Sequence, residues 1–303
     1  MKVTKISQMI EYAKTKSKKH LVVAYGQDGH SIDAVSKAID IGFVSATLVG
    51  DRDVIEQYCQ KNDVDIDKFT IVDVKDEVKS GAKSVELIND GKGDMIMKGL
   101  IGTGKYMKAI LNKQNGLLKP GGILTHVAVI QPPSYHKLLI ISDAAILPNP
   151  NIEQKIKICN FLIKAGHGLG IQKPKVAAVC LSEKVNPRLQ QTIDASILSK
   201  MSERGQIKNA IVDGPMALDL AVDMETVKIK GFKSEVGGDA DCLLFDNIEA
   251  GNVLYKSMTK LANAQLAAIL VGASVPAILS SRGDSTETKL NSIALAALLA
   301  DVE

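Results

Sequence analysis

The sequence predicts an α/β protein of two domains, each built on a parallel-rich, doubly wound sheet. Short apolar runs alternate with amphipathic segments almost to the C-terminus, the pattern of strands joined by crossover helices. The alternation restarts after residues 146–151, ILPNPN, whose two prolines can continue neither a helix nor a central strand. A chain of 303 residues with 46% hydrophobic content also holds enough apolar side chain for two cores.

Each element follows from local pattern. Residues 1–20 carry apolar positions at Val3, Ile6, Met9, Ile10 and Ala13, a helical spacing interrupted by lysines. Strands are expected at residues 21–25, 44–49, 69–72, 94–97, 124–130 and 137–141, with helices between them, for instance over 31–41 and 78–89. Beyond the proline-rich loop, strands are expected at 176–181, 210–212, 242–245 and 266–271. Helices are expected near 152–165, 187–203, 216–223 and 251–263. A last short strand at 276–279 leads into a long helix with an apolar stripe of Ala294, Leu295, Leu298 and Leu299. Because small-molecule sites favour clefts between domains, this last piece is assigned back to the first domain. The expected division is therefore 1–146 plus 276–303 for the first domain, and 147–275 for an inserted second one.

Composition excludes several classes. The 37 basic and 34 acidic residues leave a net charge of +3, too little to mark a nucleic-acid or membrane-surface partner, so any anion must be held locally. The four cysteines, Cys59, Cys159, Cys180 and Cys242, are widely spaced and form no CxxC pair; they read as reduced thiols of a cytoplasmic protein, with neither a disulfide nor a zinc site. No signal-peptide core is present, and the longest apolar stretches fall short of a membrane span or are broken by Gly272, Ser274 and Pro276.

Two segments carry candidate chemistry. MKGLIGTGKY, residues 97–106, follows an expected strand and precedes a helix, and Gly99 and Gly104-Lys105, with Gly102 between them, have the spacing of a nucleotide-binding loop. Tyr106, however, stands where such a loop needs Ser or Thr for magnesium. What is left is a glycine turn whose backbone N–H groups, with Lys98, Thr103 and Lys105, suit an anion at a helix N-terminus; a tight turn with a purely conformational role is the alternative. The second segment, residues 280–300, opens on Ser281-Arg282-Gly283, with a helix starting near Asp284 or Ser285. Asp284 and Glu287 are spaced as a capping pair. Arg282, one of very few arginines, lies between a buried strand and a helix N-terminus, where a guanidinium suits a phosphate or a developing oxyanion; a surface ion pair is the alternative. His126, near the expected end of a strand facing a cleft, is a candidate substrate contact, although the histidines show no metal-ligand spacing and each reads more simply as structural. No metal site is expected, and no GxSxG or Ser/His/Asp set appears.

Six stretches make the chain resemble the phosphate acetyl/butyryltransferase family, most closely its butyryltransferase branch. They are KG at 98–99, SDAAILPNP at 142–150, VAAVCLS at 176–182, DGPMALDLA at 213–221, ADCLLFDNIEAGNVLYKSM at 240–258 and SRGDSTETKLNSIALA at 281–296. The resemblance implies a fold of the isocitrate/isopropylmalate dehydrogenase type with its active site in the interdomain cleft, and a homo-oligomer assembled through the second domain. It implies transfer of a short acyl group between coenzyme A and phosphate, coenzyme A being substrate and no cofactor being bound, with coupling to an acyl-phosphate kinase. Ser281 and Arg282 match the family's catalytic pair. The acetyl branch has a basic Asp seven residues after that Ser; here the position is Thr288, leaving Asp284 and Glu287 as substitute bases. Rival readings are a phosphate acetyltransferase, a non-catalytic coenzyme A- or nucleotide-binding protein built on the glycine turn, and an NAD- and metal-dependent hydroxy-acid dehydrogenase.

Overall fold

The computed structural model describes residues 1–279 and 284–302. In chain order the elements are α1 (Ile6–Lys14), β1 (Lys19–Ala24), α2 (Gly29–Ile41), β2 (Val44–Gly50), α3 (Arg52–Lys61), β3 (Phe69–Asp73), α4 (Glu77–Asn89), β4 (Met95–Lys98) and α5 (Thr103–Ile110). Next come β5 (Thr125–Gln131), β6 (Leu139–Ser142), α6 (Ile152–Gly168), β7 (Lys175–Val179), α7 (Gln190–Glu203), β8 (Ile211–Met216), α8 (Leu218–Val222), α9 (Met224–Lys230), β9 (Cys242–Leu244) and α10 (Ile248–Lys260). The chain closes with β10 (Gln265–Val271), β11 (Ala277–Ile278) and α11 (Thr286–Ala300).

The chain divides into two compact units. One comprises Ser7–Leu124 and Ala267–Asp301; the other comprises Met1–Ile6, Thr125–Leu266 and the C-terminus from Val302. These breakpoints differ from the expected ones at 146/147 and 275/276. The strands β5 and β6 were expected in the first domain, yet β6 pairs in parallel with β9 (Ile140↔Cys242) and β5 runs antiparallel to β6 (Ala128↔Ile141). A run of buried apolar residues specifies a strand but not the sheet that accepts it. The ILPNPN loop, where the first expected boundary fell, is likewise internal to one unit: the Ile248 N–H donates to the Pro148 carbonyl, which ties the loop to α10 of the same unit.

In the unit containing the N-terminal half, the strand order is β3-β2-β1-β4-β11-β10, parallel except for the β10/β11 pair. The central strands are dry on both faces: Leu21 to Ala24 and Met95 to Met97 are fully buried, as in parallel sheets covered on both sides. Helix α11 is buried along nearly its whole length, from Ile293 to Leu299 as well as at Lys289, Asn291 and Ser292, so the expected stripe is in fact a core helix. The other unit orders its strands β5-β6-β9-β7-β8. Its helix α6 starts at Ile152 because Asn151 and Gln154 form a reciprocal capping box, each side chain accepting the other's main-chain N–H at 2.9 Å. Among the described residues no helix is long and apolar enough to cross a membrane.

Candidate active site

Strand β1 leads outward to β2 and β3 on one side, whereas β4 lies on its other side. That reversal is a topological switch point, and in open α/β sheets ligands bind beyond the carboxyl ends of the strands flanking it. Here those ends are in register, Ala24 beside Lys98, and they release the loops Tyr25 to Asp28 and Gly99 to Gly102 side by side. Strand β11 is the next neighbour, parallel to β4 with Ile278 beside Met97, so the chain leaves β11 at the same edge of the sheet before reaching Ser281 and Arg282 in sequence. Ser281 and Arg282 themselves lie outside the described residues.

Close backbone contact dictates the glycine at 99. A Cβ there would stand 2.5 Å from the Tyr25 carbonyl oxygen and 2.9 Å from Gly26 Cα, so only glycine lets the two loops meet. Tyr25 in turn adopts φ of +54° and donates its main-chain N–H to Ser80 Oγ at 2.8 Å, while the Ser80 hydroxyl donates to the Val49 carbonyl. Lys98 is buried at the end of β4, and its ammonium donates to the Gly99 carbonyl at 3.2 Å.

The expected anion donors farther along this loop are engaged within the protein. The Glu77 carboxylate, at the first position of α4, accepts the Gly102 N–H at 2.6 Å and an ion pair from Lys105. A carboxylate thus occupies the N-terminus of α5, and this bond holds the Lys105 pKa above its usual value. Thr103 is exposed. Tyr106 turns into the core, where its hydroxyl donates to the Ile96 carbonyl at 3.3 Å, which explains an aromatic residue at the magnesium-ligand position of the nucleotide motif.

Helix α11 starts where expected, but a different pair of residues caps it. Its N-cap is Ser285, whose hydroxyl accepts the Thr288 N–H at 3.1 Å and is hydrogen-bonded to the Thr288 hydroxyl at 3.1 Å. Asp284 and Glu287 therefore do not form the capping pair, and Thr288 has a structural task. One residue on, Lys289 is only 3% exposed; burial lowers its pKa, opposed by the carboxylates of Asp28 and Asp284. Asp28, the N-cap of α2, and Lys289 escaped the reading of the sequence. The signal for Asp28 was its place directly after the first strand; a lone lysine in an amphipathic pattern gives none.

His126 belongs to the other unit. At the start of β5 it sits beside Asp143, which accepts the Thr125 hydroxyl at 2.7 Å, the His126 N–H at 3.3 Å and the N–H groups of Ala145, Ile146 and Leu147. Asp143 thereby shapes the SDAAILPNP stretch around one buried carboxylate. Gly251 of α10 packs on it so closely that a Cβ would stand 2.0 Å from the Asp143 carbonyl oxygen. The His126 ring meets Tyr255 edge-on at 5.6 Å, and its Nδ1 is buried without a partner. Burial pushes its pKa down to about 4, against the pull of Asp143, so the ring is neutral near pH 7.

The fold and the described part of the site define a parallel α/β protein with a glycine turn and a buried lysine at the switch point of its sheet. The chain belongs to the family described as phosphate acetyl/butaryl transferase, whose model matches residues 5–85 and 76–297. It is 44% identical over 298 residues to a phosphate butyryltransferase of Clostridium acetobutylicum, covering 98% of this chain and 99% of the relative. Its structure is similar to that of a branched-chain phosphotransacylase from Enterococcus faecalis V583, with a TM-score of 0.80 at 28% identity over 94% of this chain and 100% of the other. A more distant likeness, TM-score 0.57 at 13% identity over 94% of this chain and 100% of the other, links it to a 4-hydroxythreonine-4-phosphate dehydrogenase from Klebsiella pneumoniae. The fold is thus of the isocitrate/isopropylmalate dehydrogenase type.

Proposed function

We propose that the chain exchanges a short acyl group between coenzyme A and inorganic phosphate, butanoyl-CoA and phosphate giving butanoyl phosphate and coenzyme A. The observation that carries this reading is the near-complete, 44% identical match to a phosphate butyryltransferase, which extends through both compact units. Phosphate attacks the thioester carbonyl, and the tetrahedral oxyanion collapses with loss of the thiolate. Arg282 pairs with the phosphate or the oxyanion, and Ser281 donates to the oxyanion or the sulfur. The buried ammonium of Lys98 and the tight Gly99 turn present positive charge at the sheet edge where β1, β4 and β11 end. Thr103 is the exposed hydroxyl of that loop; Gly102 and Lys105 reach a phosphate only by exchanging Glu77 for it. Asp284 and Glu287, which Ser285 replaces at the cap, belong to the same unit as the glycine turn and hold other interactions.

In this reading coenzyme A is substrate and product, with no resident cofactor. The enzyme works in the cytoplasm as a homo-oligomer assembled through the unit built around Thr125–Leu266, and hands its acyl phosphate to a kinase. The test is phosphate-dependent release of free thiol from acetyl-, propionyl- and butanoyl-CoA by the purified protein. Each methylene in an apolar pocket is worth about 1–3 kcal/mol, so kcat/KM rises stepwise toward butanoyl-CoA. A maximum at acetyl-CoA reassigns the acyl group, and no release from any of the three refutes the activity.

A further inference from the structure

The first turn of α2 holds two buried polar atoms without a hydrogen-bond partner, Asp28 Oδ2 and Ser31 Oγ. The other Asp28 oxygen is committed as the helix cap, accepting the Ser31 main-chain N–H at 3.0 Å, and Ser31 is fully buried. Orphaned buried groups are costly and rare, and each calls for a physical reason. Both of these lie directly after β1, at the switch-point edge where β4 and β11 also end.

Their surroundings narrow the chemistry. From α11, the buried Lys289 ammonium feels the Asp28 carboxylate more strongly than that of Asp284. From α3, the Tyr58 ring packs on Gly29, and its hydroxyl donates to Asp33 at 3.0 Å. Thr288, next to Lys289, is spent on the α11 cap, and both Asp284 and Glu287 hold other interactions. Asp28 Oδ2 is therefore the carboxylate oxygen in this neighbourhood with no partner of its own. An acceptor and a hydroxyl in one turn, faced by a cation, suit a group that gives up a proton and then needs a donor, as a thiol does.

We propose that Asp28 is the general base of acyl transfer to coenzyme A, Oδ2 taking the thiol proton while Ser31 Oγ donates a hydrogen bond to the sulfur as charge develops on it. The inference rests on the acyltransferase reading above. The sulfur lone pair forms the S–C bond to the acyl carbon, and the bond from that carbon to the phosphate oxygen breaks with its electrons leaving on phosphate. Asp28 then passes the proton to the departing phosphate. In the opposite direction protonated Asp28 returns it to the leaving thiolate. An ordinary thiol titrates at about 8.5, so near neutral pH it needs an acceptor for its proton, Asp28 Oδ2, and a cation for the developing thiolate, the buried Lys289.

The test compares wild type, Asp28→Asn and Asp28→Ser in the direction from butanoyl phosphate and coenzyme A. Both substitutes still cap α2, so the helix is kept while the base is lost. The expected result is a fall in kcat of about 100-fold or more, a KM for butanoyl phosphate changed by less than about threefold, and loss of the acidic limb of the pH–rate profile. If Asp28→Asn melts early, the Ser variant decides. Turnover within about threefold of wild type, or a scaled profile that keeps its acidic limb, would overturn the assignment. A wild type silent with every acyl-CoA would remove the activity and this base together, whereas an active wild type matched by its Asn variant would remove the base alone.

Discussion

At the scale of single residues, the arrangement separates groups that shape the sheet edge from groups that carry charge there. Arg282→Ala is expected to lower turnover by about 100-fold or more, as for loss of an oxyanion donor, and Arg282→Lys not to restore it, because an ammonium cannot reproduce the planar fork. Thiol-release kinetics check both. Thr288→Ala, by contrast, leaves the main-chain bond to Ser285 intact and is expected to change turnover by less than about threefold. Gly99→Ala is a different kind of lesion. Its methyl group meets main-chain atoms rather than a pliable side chain, so the β1 and β4 loops must part. Thermal melting should show a loss of about 2 kcal/mol or more, with activity falling further than stability because the sheet edge itself is displaced.

At the scale of elements, the two ends of the parallel strands in the unit built around Thr125–Leu266 do different jobs. Their amino ends are clamped by charge. Lys137, just before β6, bridges Asp239 and Asp241 at 2.8 Å each, and Lys175, the first residue of β7, pairs with Asp239 at 2.8 Å. Burial raises the Asp239 pKa, but hydrogen bonds from Lys137, Lys175 and His136 outweigh it and hold the carboxyl well below the usual carboxylate range. A carboxyl depressed in this way adds stability above its unfolded value of about 3.9 and withdraws it as pH falls toward the folded one. Lys137→Met strands Asp241, 3% exposed, without its buried partner; urea unfolding at pH 7 should register about 3–5 kcal/mol, and a shallower loss on acidification than in wild type. The carboxyl ends carry instead the Asp143 hub, His126 and Tyr255.

Much of this was legible in the chain, for reasons that also explain the gaps. Parallel strands buried on both faces advertise themselves as apolar runs, so β1, β2, β4 and β9 stood out, as did the Pro-Asn start of α6. The glycine turn and the Ser-Arg pair were visible as motifs. Pairing was not, because apolar side chains at β5 and β6 say nothing about which neighbour supplies hydrogen bonds, and the expected boundaries moved accordingly. Glu77 was equally silent: the acid that engages Gly102 and Lys105 comes from α4, some 25 residues upstream of the turn it fills. Asp28 looked like any helix cap until its second oxygen proved to be buried and alone.

At the scale of the whole molecule, one compact unit is assembled from two distant stretches, Ser7–Leu124 and Ala267–Asp301. Strand β4 acquires its neighbour β11 only after the intervening unit has been made, and α11, nearly all of it out of water, comes last. On the ribosome, then, a nascent chain that has already produced the glycine turn still shows a naked strand edge and an uncovered apolar flank until Ala267–Asp301 has emerged. Premature termination anywhere before that point should yield aggregates and proteolytic debris rather than a smaller working enzyme.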